Sequence, residues 1–163
     1  MVKILISACL VNQNVRHNAK VLGFKHPIIT QWQNNNILIP FCPEVEGGLP
    51  IPRNPAEIVP PKAVKNHYHD NHHVLDQSGN DRTGEFTLGA QKALRLMRQL
   101  DSKMAILKER SPSCGSKIRY DGTFSGTITA GQGLTTVLLN RNGIKVFNEE
   151  EIDEAFNYWS QLN

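Results

Sequence analysis

Four short apolar runs recur along the chain, each followed by polar or proline-rich sequence. Val2-Lys3-Ile4-Leu5-Ile6-Ser7-Ala8 is rich in β-branched residues and predicts a strand buried on both faces. Ile37-Leu38-Ile39-Pro40-Phe41, Met104-Ala105-Ile106-Leu107-Lys108 and Ile144-Lys145-Val146-Phe147 repeat that pattern. Between them, apolar positions fall at helical spacing. His26-Pro27 followed by Ile28, Ile29 and Trp32 predicts a helix, since proline suits a first turn. Thr83 reads as the N-cap of a long helix to about Leu100, with Phe86, Ala90, Ala93, Leu94, Met97 and Leu100 on one face. Leu134, Val137 and Leu138 mark a further helix closed by Gly143. Asn148 with Glu151 resembles a capping box for a last helix, whose stripe is Ile152, Ala155, Phe156, Trp159 and Leu162.

Strands that alternate with helices predict an α/β fold. The expectation is a single doubly wound, mostly parallel, Rossmann-like sheet with helices on both faces, one domain over residues 1–163. Three stretches interrupt the pattern. Residues 43–62 carry six prolines and the Gly47-Gly48 pair, and are expected to be an irregular loop, too proline-rich for a helix or a central strand. Residues 63–80 are expected to form a small hairpin or flap, and Asp121 to Gly133 a glycine-rich loop.

Composition narrows the classes further. A hydrophobic fraction of 39% and a charged fraction of 20% over 163 residues describe one globular domain and exclude a disordered, coiled-coil or fibrous chain. Every apolar run is far shorter than the roughly 20 residues that cross a bilayer, so no membrane partner is expected. The N-terminal run, with a single lysine and a brief apolar stretch, reads as a core strand and not as an export signal. Net charge is +3, and its 18 basic and 15 acidic residues are mixed without a basic stripe, so no nucleic-acid partner is expected.

The three cysteines change the picture. An odd count at wide spacing is unlike a secreted disulfide scaffold and points to the cytoplasm. Cys9 follows the first predicted strand, Cys42 the second and Cys114 the third. In an open parallel sheet the carboxyl ends of the strands share one edge, where ligands collect. Cysteines inside strands would suit core packing, and buried structural thiols are common. Cysteines just beyond strand ends suit a site instead. Three soft donors select zinc or an iron–sulfur cluster. A four-iron cluster with three thiolates keeps one iron open, and zinc with three protein ligands also keeps an open position.

Ala8-Cys9-Leu10, Phe41-Cys42-Pro43-Glu44-Val45-Glu46-Gly47-Gly48-Leu49, Pro52-Arg53, Pro55-Ala56-Glu57-Ile58, Lys108 to Gly115 and Tyr120 to Gly126 resemble the thiouracil desulfidase family over almost the whole chain. The resemblance implies a [4Fe-4S] cluster held by Cys9, Cys42 and Cys114 with its fourth iron free. It also implies removal of sulfur from a thiolated uracil, a small-molecule thiolated nucleobase, giving uracil and sulfide with no net redox change. Two departures stand out: Asn12 occupies the place of a usual glycine, and His17-Asn18-Ala19 follow Arg16 where the family carries Tyr-Asp-Gly.

For such chemistry Glu44, two positions from Cys42, is the expected acid/base, with Glu46 the runner-up for that role and a candidate for contact with substrate. Ser111 is expected to hydrogen-bond the ring or the attacking water, Ser113 being the alternative, while Arg53 and Arg110 are candidates for an anionic group. A zinc-dependent hydrolase on the same thiols, or a non-catalytic sulfur- or nucleotide-binding module, are the competing functions. His67, His69, His72 and His73 lack an HExxH-type acidic partner and read as a solvated flap. Gly122, Gly126, Gly131 and Gly133 read as turn formers, since no GK[ST] accompanies them.

Overall fold

The computed structural model describes residues 1–60 and 73–163. Along the first part of the chain run β1 (Ile4–Ser7), a 3-10 turn (Ala8–Val11), α1 (Pro27–Asn34), β2 (Leu38–Phe41), α2 (Pro43–Glu46), β3 (Ala56–Val59) and β4 (His73–Asp76). The second part holds α3 (Thr83–Gln99), β5 (Met104–Leu107), β6 (Ile118–Tyr120), β7 (Ile128–Ala130), α4 (Leu134–Arg141), β8 (Lys145–Asn148) and α5 (Ile152–Gln161). Strands β2, β1, β5 and β8 lie side by side in that order, all parallel. This is the doubly wound sheet that the alternating pattern predicts.

Alternation along the strands assigns the two faces. Ile4, Ile6, Met104 and Ile106 point toward α1 and α5, where they meet Ile29, Trp32, Ile152 and Ala155. Leu5, Ala105 and Leu107 point the other way, onto Ala93, Leu94 and Met97 of α3 and Leu139 of α4. With both faces buried, a one-residue slip would exchange the two cores, so the register is strongly specified. Trp32 packs 5.9 Å from Phe156 and 5.7 Å from Trp159, ring centre to ring centre, which fastens α1 to α5.

The proline-rich stretch departs from the expected loop. It contains α2 and β3, because Pro43 occupies the first helical turn, where a missing N–H costs nothing. β3 pairs with β4 alone in a two-stranded sheet, and Pro55 and Pro60 flank it without interrupting its ladder. The glycine-rich stretch likewise contains β7, antiparallel to β6. Thr83 opens α3 rather than capping it; Arg82 holds the cap position, and the Asp81 carboxylate accepts the Thr83 N–H at 2.8 Å. Half of the expected capping box forms: the Glu151 carboxylate accepts the Asn148 N–H at 3.1 Å, while the Asn148 side chain takes the Glu150 N–H at 2.9 Å.

Positions 63–72 of the expected flap, with His67, His69 and His72, lie outside the described residues, and His73 opens β4 opposite Val59. Among the described residues no helix is long and apolar enough to cross a membrane.

Two glycines set where α2 lies. A side-chain carbon on Gly47 would run into the carbonyl of Glu85, and one on Gly89 into the carbonyl of Pro43. The backbones of α2 and α3 therefore touch directly. After the 3-10 turn the chain has no regular structure until α1, and two non-glycine residues there adopt left-handed backbone. Asn12 (φ 62°) is the better tolerated, with its side-chain amide donating to the Phe24 carbonyl at 2.9 Å. Ala19 (φ 55°) has no such compensation. Ala19→Gly should raise stability by about 1 kcal/mol, the relief of left-handed strain less the added chain entropy. Thermal unfolding is the check, with an expected rise of about 2–4 °C in Tm.

Candidate metal centre

The strand order reverses at β1, which has β2 on one side and β5 on the other. Connections from these strands leave in opposite directions and open a crevice at their carboxyl ends. Cys9 lies in the 3-10 turn after β1, Cys42 caps α2 directly after β2, and Cys114 sits in the turn after β5. All three are free thiols lining one cavity of about 980 Å³. Cys9 and Cys114 are buried and Cys42 half-buried.

Each thiol position is held by its surroundings. Ser111 Oγ accepts the N–H groups of Ser113 and Cys114, both at 3.1 Å, and so folds the turn that presents Cys114. Thr136 donates its hydroxyl to the Cys114 carbonyl at 2.8 Å. A side-chain carbon on Gly133 would come within 2.7 Å of the Cys114 nitrogen, so α4 starts against this turn only because residue 133 is glycine.

Beneath the turn, Glu109 Oε1 accepts the N–H groups of Ser116 (2.8 Å), Lys117 (3.2 Å) and Ile118 (3.2 Å). Its Oε2 takes the Ser116 hydroxyl at 2.8 Å and the Asn148 amide at 2.6 Å. Burial opposes the charge on Glu109, yet these donors hold its carboxyl below the ordinary range. At the other edge, the Val15 carbonyl lies 4.0 Å from the Cys42 sulfur.

Burial, and then the neighbouring Cys42, push the Cys9 thiol up to about 11, against the opposing charges of Lys108 and Arg16. Burial raises Cys42 as well, offset in part by the N–H groups of Val45 and Glu44. Cys114 is raised chiefly by burial, and also by Cys42 and Cys9. The protein alone therefore keeps these thiols protonated, and a metal must displace the protons to bind. Three soft donors around one cavity fit an iron–sulfur centre. Among the described residues, no three His, Cys, Asp or Glu side chains are grouped to hold a single metal ion.

Glu44 and Ser111 both line the cavity. Arg53 Nε donates to Glu44 Oε2 at 3.0 Å, and Nη2 reaches the same oxygen. The guanidinium also donates to the Val15 carbonyl at 2.9 Å and the Pro50 carbonyl at 3.2 Å, and its side chain is only 7% exposed. Arg53, expected to contact substrate, lines the cavity as well, and it ties Glu44 to the backbone at Val15 and Pro50.

Glu46 is exposed and does not border the cavity, because two residues along a helical turn point to nearly opposite sides. Ser113 also departs from its expected role: it is fully buried, and its hydroxyl pairs with Thr135 Oγ1 at 3.0 Å.

Several lining residues escaped the sequence reading. Ser7 and Lys108 border the cavity, as do Arg16 and His17 from the irregular segment before α1. Burial holds the His17 imidazole below its usual range. Lys108 pairs with Glu149, whose other oxygen accepts the Glu109 N–H at 2.8 Å. Glu57 accepts the N–H groups of Gly122 (2.9 Å) and Phe124 (3.0 Å), drawing the β6–β7 turn toward the cavity.

Fold and site together define a doubly wound α/β protein that presents three thiols at the switch point of its sheet. The chain belongs to the 2-thiouracil desulfurase family, whose family model matches residues 4–151. It is 34% identical over 151 residues to the uncharacterized protein YbbK of Bacillus subtilis (strain 168), covering 93% of this chain and 98% of that one. Among solved structures it is similar to the [4Fe-4S]-dependent thiouracil desulfidase TudS, with a TM-score of 0.88, 41% identity and 99% of each chain covered.

Proposed function

We propose that this protein is a cytoplasmic, non-redox desulfidase that converts a thiouracil and water into uracil and hydrogen sulfide. Its cofactor is a [4Fe-4S] cluster on Cys9, Cys42 and Cys114, leaving one iron without a protein ligand. The observation that carries this reading is the convergence of three otherwise unpaired thiols on one cavity, in a chain 41% identical to a desulfidase with that cofactor. A single zinc ion is the weaker alternative. Zinc–sulfur bonds of about 2.3 Å require the donors to close around one point, and no such group occurs among the described residues.

When bound, the cluster supplies a Lewis acid for the soft thione sulfur. The remaining work falls to the chain. Glu44, oriented by Arg53, accepts a proton from the water whose oxygen bonds to the thione carbon. The Ser111 oxygen is occupied by two backbone N–H groups, so its own hydrogen is free to donate to the ring or the water. The carbon–sulfur bond then breaks, and sulfur leaves with the two protons that water brought. Oxygen replaces sulfur, and no electrons are exchanged.

Anaerobic reconstitution followed by assays on 2-thiouracil and 4-thiouracil tests the reading. Iron-loaded protein is expected to release uracil and sulfide in equal amounts without added oxidant or reductant, and zinc-loaded protein to release neither. Equal turnover with zinc, or no sulfide from any thiolated base, would overturn it.

A further inference from the structure

We propose that the Ser7 hydroxyl donates a hydrogen bond to the Cys114 ligand sulfur and thereby tunes the cluster, which makes Ser7 a positioning residue of the metal centre. The inference rests on the cluster assignment made above.

Ser7 is the last residue of β1 and is 3% exposed. Because β1 and β5 are neighbours in the sheet, Ser7 comes beside Lys108, the first residue beyond β5. The Lys108 N–H donates to Ser7 Oγ at 2.9 Å, which occupies the hydroxyl as an acceptor. Its remaining hydrogen is directed at Cys114 Sγ, 3.5 Å away in buried surroundings. Lys108 N–H, Ser7 O–H and Cys114 sulfur thus form one relay, fixed by the register of two central strands.

The chemistry of sulfur decides what this relay is for. A neutral thiol is a weak acceptor, so a buried hydroxyl aimed at one gains little. A thiolate is a charged acceptor, and hydrogen bonds to ionised groups are shorter and roughly twice as strong. Leu5, Leu107 and Leu139 belong to the apolar cluster that contains Cys114, an environment that strengthens the bond further. The geometry therefore suits the ionised, metal-bound state of Cys114. Among the described residues, no side-chain hydroxyl donates to Cys9 or Cys42, so the three corners are unequal.

A donor on a ligand sulfur withdraws electron density from the iron it binds. Reduction potentials of such clusters respond to hydrogen bonds on their sulfurs. Ser7→Ala should therefore give a cluster with a more negative midpoint potential, and Ser7→Thr, which keeps the hydroxyl, should restore the wild-type value. The measurements are potentiometric titration and resonance Raman spectroscopy on anaerobically reconstituted holoprotein. In wild type the iron–sulfur(Cys) stretches should shift on exchange into D₂O, and Ser7→Ala should lose the part of that shift that belongs to Cys114, keeping the part from the Val45 and Glu44 N–H groups at Cys42. An unchanged potential in a loaded Ser7→Ala protein would overturn the inference. So would a wild-type D₂O shift no larger than that of a loaded Ser7→Ala protein; where Ser7→Ala fails to load, Ser7→Thr is compared with wild type, and a potential that differs between the two overturns the inference as well. Wild-type protein that takes up no cluster would instead remove the functional proposal, and this inference with it.

Discussion

Glu44→Gln should lower kcat by about 10²–10⁴-fold, the usual worth of a positioned proton acceptor, while the visible absorption of the cluster stays intact. Glutamine has nearly the same shape and still offers an oxygen to Arg53, so the α2 turn keeps its place. It cannot take a proton from water. KM should change little, because in the proposed mechanism the carboxylate acts on the attacking water and not on the ring.

Removing the charge has a cost of its own. Arg53 is nearly buried, and a buried cation that loses its carboxylate destabilises the fold. A thermal melt run beside the kinetics separates the two effects, since lost stability with full turnover would point to a purely structural ion pair. Activity within a few-fold of wild type would take Glu44 out of the scheme.

Cys114→Ser is the second large effect: the brown chromophore and all sulfide release should disappear together, while circular dichroism keeps its α/β signature. A serine hydroxyl at this depth does not ionise and is too hard a donor for iron. The turn itself should survive, because its hydrogen bonds run through Ser111, Thr136 and Glu109 and none needs the sulfur. A variant with full absorption would show that the cluster sits elsewhere. Absorption and activity are read on protein reconstituted anaerobically in parallel with wild type.

The central sheet was legible because its strands are short apolar runs, and the helices because their apolar stripes lie between those runs. What escaped was structure whose cost depends on context. Proline is penalised in a helix interior, yet Pro43 begins α2 without loss. The β6–β7 hairpin is exposed along β7 and has no alternating apolar face to betray it.

The three thiols were readable from their places just past strand ends, since topology alone carries such positions to one rim. Side-chain direction was not readable at that level. Glu46 and Glu44 share a turn yet face opposite ways, and Ser113 turns inward to Thr135. Ser7 left no signal, because one serine at a strand end breaks no periodicity.

The direct backbone contact at Gly47 and Gly89 fixes one bank of the pocket. Cys42 and Glu44 belong to that bank, so changes there would disturb cofactor and chemistry alike. Arg16 and His17 belong to the opposite bank, on a segment free of helix and strand that no close backbone contact of this kind constrains. Selection for a differently shaped guest would accordingly leave its record between Asn12 and Leu22, and an engineer seeking a new appetite in this scaffold would randomise there first.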